Sequence, residues 1–540
     1  MAAFNVTGDQ KTTDPDALTE GARLVQALAR AAAFDHPVRQ LRILETHISW
    51  VLLSGDFAYK IKKPVKFGFL DFSTLPLRRH YCEEELRLNR RFAPQIYLDV
   101  VAIRGDPASP RLHGEGMELE YAVRMKQFSQ RALLSAHAAD GTLTPAIIDA
   151  IALRVSELHA PREDCVPSDE FGSVHSVQRW SEENLQQLAA TIPAESLPGA
   201  FARLLNWYRG YPGLAQQIEQ RLAEGHLREC HGDLHLGNMA LIDAQVVPFD
   251  CIEFNAELRW IDTASEAAFV AMDLEARGFP GYCWRFISRY LENSHDYDAV
   301  ALLRYYIVYR ALIRAKVEAL SVAVDSPRSK TAFAAANAYI ELAESWASRR
   351  GAGLILMHGL SGSGKSTVAT QLAESLQAIH LRSDVIRKQL FELAADADSG
   401  SAPDQGIYTD AATDATYRRL RQIATQIIDS DFAVIVDATF LLRAQRQTLL
   451  ELARNRQCPC VVVDCEAPLE LLRSRISARD NDPSEANLQV LEHQVGRRET
   501  VSSEEAGIDA IVTTGVDGLQ RAHIEKIRAS LLSGLSADQR

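Results

Sequence analysis

The stretch ECHGDLHLGNMALIDAQVVPFDCIEFN, Glu229 to Asn255, decides how the first part of this 540-residue chain is read. Its apolar runs, MALI and VVPF, build short strands, and the polar residues fall between them. Asp233 stands in a loop where an acceptor hydroxyl can be held. Asn238, five residues on, can turn back to a metal ion, and Asp250 returns on the next strand to bridge metal and phosphates. His231 is read as a buttress of the loop. His235 is read with equal weight as structural or as a substrate contact. A polar hairpin carrying unrelated acids is the plainer alternative, but HGDLHLGN is too specific a pattern for it.

Outward from this loop, length implies at least two domains. Apolar content of 47% and charged content of 24% are those of a globular protein, and the net charge of −13 disfavours broad nucleic-acid binding. The chain shows no charged-then-apolar leader and no apolar run near membrane length, so a cytoplasmic location with no membrane partner is expected. Eight scattered cysteines do not form a disulfide framework. CPCVVVDC, with Cys458, Cys460 and Cys465, lacks a fourth ligand at metal spacing and reads as reduced thiols in or near a core. HISWVLLSGDFAYKIKK predicts two strands joined at Ser54-Gly55-Asp56, and RRHYCEEELRLNRRFA predicts a helix. Helical patterns dominate from about Ser129 to Leu222 and again to Trp346. At SRRGAGLILMHG the pattern changes to strand–helix alternation, with strands at LILMH, AIHLRSD, FAVIVDATF, CVVVDC and DAIVTT. That alternation predicts a parallel sheet covered on both faces. The composition of AADADSGSAPDQG (394–406) predicts a mobile loop.

A second phosphate motif follows the change. GLSGSGKST, Gly359 to Thr367, has the P-loop spacing and lies between strand and helix. Gly359, Ser361, Gly362, Ser363, Gly364 and Thr367 would curl backbone N–H groups around phosphates, Lys365 would reach the β/γ-phosphates, and Ser366 would help hold Mg²⁺. Asp437, ending VIVD with Thr439 behind it, is the candidate carboxylate near the metal. Asp384 is read as ending the second strand, where it could take a proton from an acceptor hydroxyl, with Arg387 one turn on to clamp an anionic group. The competing reading makes Asp384 a helix N-cap. Arg473, Arg475 and Arg479 lie in one helical stretch and could close over a transferred phosphoryl group.

The HGDLHLGN loop with Asp250 resembles the aminoglycoside phosphotransferase and choline kinase superfamily over roughly residues 39–276. That resemblance implies a strand lysine paired with a helix glutamate. Lys60 fits the lysine, with Lys62 on the same face as competitor, and Glu85 fits the glutamate, with Glu84 beside it. Ser49 would supply a phosphate contact where the loop lacks glycine, EYAVRMKQF (120–128) would dock adenine, and Asp262 would prop the catalytic loop. GLSGSGKST, SDVIR, VIVDAT and the arginine-rich stretch resemble the small P-loop kinases related to phage polynucleotide kinase, zeta toxins and gluconate kinases, in which Asp384 and Arg387 would handle the acceptor. The whole chain resembles bacterial proteins that join the two.

The expected fold is therefore an N-terminal α+β protein-kinase-like domain, residues 1–348, and a C-terminal α/β P-loop domain with a parallel sheet, residues 349–540. The expected function is ATP-dependent, Mg²⁺-assisted phosphate transfer to hydroxyls of a small molecule or, less favoured by charge, a nucleic-acid end. The alternative makes the N-terminal half a pseudokinase that senses a ligand and regulates the C-terminal half.

Overall fold

The computed structural model describes residues 14–38, 40–67, 70–162, 171–193, 197, 199, 201–320, 329–393, 397, 399, 405–478 and 487–533. The chain forms two compact units. One comprises Met1–Ala150, Leu158–Arg277 and Leu302–Ala347; the other comprises Ile151–Glu157, Gly278–Ala301 and Ser348–Arg540. The contiguous division at 348/349 therefore misses two segments that cross over. The helix Pro280–Ser294 packs on the helix Lys365–Leu376 and on the strand Ile379–Arg382 of the second unit. A helix's apolar face says that it must be covered, and not by which sheet.

In the first unit, β1 (Arg42–Glu45), β2 (Ser49–Leu53), β3 (Phe57–Lys62), β6 (Tyr97–Asp106), β7 (Ser109–Leu112) and β8 (Glu118–Lys126) form an antiparallel sheet in the order 1-2-3-8-6-7. β4 (Lys66–Phe67) and β5 (Leu70–Asp71) make a small hairpin beside it. Period-two alternation on β3 sends Tyr59 and Ile61 into a core with Trp50, Leu52, Val25 and Leu28. The same alternation sends Lys60 and Lys62 to the other face, toward the helix Leu75–Phe92. That helix buries Arg78, Cys82, Glu85, Leu88, Asn89 and Phe92, a stripe at helical spacing with three polar members.

The rest of the unit is mainly helical. Two short ribbons interrupt it: β9 (Leu227–Glu229) pairs with β12 (Trp260–Asp262), and β10 (Met239–Ile242) with β11 (Gln245–Pro248). The helix Thr263–Ala276 is buried almost all round, from Thr263 to Leu274, as its lack of a polar face requires.

In the second unit, β13 (Gly353–His358), β14 (Ile379–Arg382), β15 (Ala433–Asp437), β16 (Cys460–Cys465) and β17 (Ala510–Thr514) form an all-parallel sheet ordered 14-15-13-16-17. β13, β15 and β16 are buried at every residue, which explains their unbroken apolar runs. Cys460 and Cys465 are buried free thiols in this sheet, and Cys458 is partly exposed. The central β13 is flanked by β15 and β16, and the chain crosses from one side of β13 to the other between those two strands, so the crevice at its C-terminal end is where such sheets bind ligands. Among the described residues, no helix is long and apolar enough to cross a membrane.

Candidate active sites

In the first unit, Lys60 Nζ lies 2.7 Å from Glu85 Oε1 and 2.6 Å from Asp250 Oδ1. Lys62 meets the other oxygen of Glu85 at 2.8 Å and also pairs with Glu253. Both lysines thus share one glutamate, but only Lys60 faces Asp250. Glu84 turns away to Arg87 and Arg259. Burial works against the Lys60 ammonium, yet Asp250 and Glu85 outweigh it and hold its pKa well above that of a free lysine. Burial likewise opposes charge on Glu85, but Lys60 and Lys62 bring its pKa down to about 2. Two lysines thus face three carboxylates, one of which, Glu253, has its pKa pushed up by burial. Ser49 sits opposite Lys62 on β2, and its hydroxyl is buried without a partner among the described residues.

The catalytic-loop candidates come together beside this cluster. Asn238 Nδ2 donates to the Asp233 carbonyl and to Asp233 Oδ2, each at 2.9 Å. His235 Nδ1 accepts from Gly237 N–H at 3.0 Å, which leaves its proton on Nε2, 3.6 Å from Asp233 Oδ2. Burial would raise the Asp233 carboxyl, but His235, with Arg314 and His231 behind it, holds it far below the ordinary value. Asp233 is therefore held in its ionised form. Asp250 has φ of 66°, a left-handed backbone that only surrounding contacts maintain. Its N–H donates to Tyr97 Oη at 3.1 Å, and the next N–H, of Cys251, donates to Asn89 Oδ1 at 2.9 Å. His231 Nε2 meets the Phe249 carbonyl at 2.8 Å and so ties the loop to the strand before Asp250.

The prop beneath the loop is Glu266, and not Asp262. Asp262 caps the helix Thr263–Ala276 through Ala264 N–H and pairs with Arg221 at 2.7 Å. Glu266, one turn further, accepts from Gly232 N–H at 2.6 Å and His231 N–H at 3.1 Å, and meets His159 Nε2 at 3.0 Å. His159, Cys230 and Glu266 are close enough to share a metal ion, but both Glu266 oxygens already hold these partners. A cavity of about 540 Å³ is lined by Gly232 and Asp233 on one side and by the helix Val174–Thr191 on another.

In the second unit, Gly359 has φ of 137°, and a Cβ there would meet the Cys465 carbonyl at 2.5 Å. Only glycine allows the loop to pass. Gly364, with φ of 91°, caps the helix Lys365–Leu376 without any side-chain bond, so the first N–H groups are left to an anion. Lys365 Nζ donates to the Leu360 carbonyl at 2.9 Å. Asp437 ends β15 and meets His380 Nε2 at 3.2 Å. Burial opposes its charge, but His380, Lys365 and Ser366 bring its pKa down to about 2. His380 gave no sign of this role in the sequence, where it reads as a strand residue. Arg475 Nη1 donates to the Gly362 carbonyl at 3.2 Å, whereas Arg473 pairs with Glu470 and Glu492. Arg479 and most of the 394–406 loop lie outside the described residues.

Asp384 does not end the strand. β14 stops at Arg382, which is the N-cap, and Asp384 lies in the first turn of the helix Ser383–Leu390, so it is not the cap either. It lines a cavity of about 950 Å³ together with Lys365, Ser366, Thr367, Asp437 and Arg387. Arg387 Nη1 donates to the Ile407 carbonyl at 2.7 Å and lies 3.2 Å from Thr413 Oγ1, while its Nε has no partner among the described residues. Its first task is thus to hold the segment after the 394–406 loop. Gln494, which no motif marks, accepts the Ser361 N–H through Oε1 at 2.8 Å.

Residues 354–501 match the family model AAA_33, an AAA domain. Uncharacterized protein Rv2004c of Mycobacterium tuberculosis (strain ATCC 25618 / H37Rv) is 31% identical over 461 residues, covering 84% of this chain and 90% of its own. Among solved structures, a choline/ethanolamine kinase family protein from Mesorhizobium loti aligns over 61% of this chain and 99% of its own, at 14% identity and a TM-score of 0.36. A sugar kinase from Janibacter sp. HTCC2649 aligns over 34% of this chain and 98% of its own, at 19% identity and a TM-score of 0.27.

Proposed function

We propose that this chain, which belongs to the same family as Rv2004c, is an ATP-dependent kinase with a phosphotransfer site in each unit. The observation that carries the reading is a repeated arrangement. In each unit a lysine stands beside a carboxylate, Lys60 at 2.6 Å from Asp250 and Lys365 near Asp437, and a second acid lines a cavity, Asp233 in the first unit and Asp384 in the second. In the first unit, Lys60 grips phosphate oxygens, Glu85 fixes Lys60, and Asp233 orients the acceptor hydroxyl. In the second, Lys365 and the P-loop N–H groups hold the phosphates, Arg475 steadies the loop, and Asp384 faces the acceptor. A bound Mg²⁺ would neutralise charge on the transferring phosphate; Asn238 and Asp250, and Ser366 and Asp437, are the oxygen donors available to hold it.

The test uses the full chain with labelled ATP, a panel of hydroxyl metabolites and an oligonucleotide with a free 5′ hydroxyl. Asp233→Asn should slow transfer to one acceptor by about 10²–10⁴, the worth of a positioned base. Lys365→Ala should remove transfer to a different acceptor, and the double variant should lose the second transfer and slow the first as Asp233→Asn does. Transfer to either acceptor at the parent's rate in the double variant sinks the two-site reading. The turn between β1 and β2, Thr46-His47-Ile48, has no glycine, and Thr46 Oγ1 holds Ser49 N–H at 3.0 Å. That feature favours a second reading, a first unit that senses a ligand without turnover. In that case Asp233→Asn would change no transfer rate.

A further inference from the structure

Resting on the reading of Asp233 as the residue that faces the acceptor, we propose that the cavity beside it takes a neutral polyhydroxylated acceptor, a sugar or cyclic polyol, and discriminates against amines and anions. The key residue is Asn184, on the helix Val174–Thr191. It is 3% exposed and lines the same cavity as Asp233. Neither its Oδ1 nor its Nδ2 has a hydrogen-bond partner among the described residues. A buried amide left this way costs free energy in the folded chain, and a ligand that satisfies it recovers that cost.

The amide needs one donor and one acceptor together. A hydroxyl is both at a single oxygen, an ammonium only donates, and a phosphate dianion or carboxylate only accepts. Asn184 therefore matches hydroxyls, and sites built to hydrogen-bond a hydroxyl discriminate strongly.

The cations on the wall point to the same answer, because each is already engaged within the protein. Arg179 pairs with Glu257 and with Glu183. Arg221 holds Asp262 through two bonds of 2.7 and 2.8 Å. Arg310 donates to the Gly232 and Ser265 carbonyls at 3.1 Å each. Lys316 donates to Gln187 Oε1 at 3.1 Å, and burial pushes its pKa down to about 8 against the pull of Glu183. Four cations, Arg179, Arg221, Arg310 and Lys316, share the wall with four carboxylates, Glu183, Asp233, Glu257 and Asp262, so it carries no net charge that would select a charged ligand. The rings of Trp180 and Tyr309 line the same cavity and add apolar surface for the C–H groups of a cyclic ligand.

The experiment measures labelled phosphate transfer by the full chain carrying Lys365→Ala, so that the second unit is silent. The acceptors are neutral hexoses and myo-inositol, amines (ethanolamine and kanamycin), and hexose phosphates. The expected result is transfer to a neutral polyol, with Asn184→Leu raising its KM at least tenfold and changing kcat less. Asn184→Leu should also raise the melting temperature of the free protein, since it removes an unpaired buried amide; a purely structural Asn184 gives the opposite shift. Use of amines or hexose phosphates in preference to polyols overturns the proposal, as does a KM within twofold of the parent. If polyols are not used but ATP turnover still depends on Asp233, the acceptor class alone is wrong. If no class is used and Asp233→Asn leaves ATP turnover unchanged, the kinase reading of this unit falls, and the acceptor with it.

Discussion

Glu266 holds two backbone N–H groups and a histidine at once, and the geometry of Asp233 depends on it. Burial opposes its charge, but His159 first, then His231 and Gly232 N–H, bring its pKa from 4.5 down to about 2. The folded-state value lies below the unfolded one, so the ionised form favours the folded chain. That contribution is complete above about pH 4.5 and is lost as pH falls towards 2. Glu266→Gln should therefore flatten the dependence of melting temperature on pH within that window, and a profile parallel to the parent's would remove Glu266 from this role. Asp233→Asn and Asp250→Ala should also separate. The first slows transfer by about 10²-fold or more with ATP affinity nearly intact, and the second weakens ATP binding itself. Equal losses of ATP affinity, measured by calorimetry, would contradict the division of labour. Asp233, Asn238 and Asp250 were legible because one loop and one ribbon carry them at fixed spacing. Glu266 was not, because Asp262, one turn earlier on the same helix, carries the same charge. Sequence alone does not say which of the two carboxylates turns inward.

Among the elements, the helix Leu488–Arg497 acts on the P-loop through one uncharged residue. Gln494 Oε1 accepts the Ser361 N–H, one of the backbone donors of the P-loop. On the proposed reading, a phosphate oxygen that takes this donor displaces Gln494. A neutral hydrogen bond contributes roughly 0.5–1.5 kcal/mol, so Gln494→Ala should lower the KM for ATP in the second unit by about two- to tenfold. A raised KM would instead make Gln494 a nucleotide contact. The arginine-rich stretch drew attention through its charge, and Arg475 does reach Gly362. Gln494 has neither charge nor motif, so only the packing of the helix reveals it. β3 is the contrary case. Its period of two put Lys60 and Lys62 on one face from sequence, and the stripe on the helix Leu75–Phe92 put Glu85 against them. What the pattern left open was that both lysines would hold the same glutamate.

For the whole molecule, the composition change at Gly351 tells where strand–helix alternation begins, and the five parallel strands after it were legible in order from their apolar runs. It does not tell which segments pack with that sheet. Gly278–Ala301 belongs to the second unit although it precedes the boundary. Its helix sets Trp284 edge-on to Phe432 at 5.7 Å and pairs Arg285 with Glu374 at 2.8 Å. Ser288 Oγ accepts from His380 N–H at 3.1 Å, and Glu292 pairs with Arg382 at 3.2 Å. Two of these contacts fall on β14, whose His380 bonds Asp437 and whose end leads into Asp384. A fragment of residues 349–540 alone would expose the apolar surface that Trp284 and its neighbours cover. Fully burying a large apolar side chain contributes about 1.5–3 kcal/mol, and a domain's whole stability is roughly 5–15 kcal/mol. The fragment should therefore melt far below the full chain or fail to fold, and its Lys365-dependent ATP turnover should fall with it. Joining residues 278–301 to its N-terminus through a flexible glycine–serine linker should restore both. A 349–540 fragment that melts cooperatively at the temperature of the full chain, with full ATP turnover, would show that the crossing helix is dispensable to the sheet it covers.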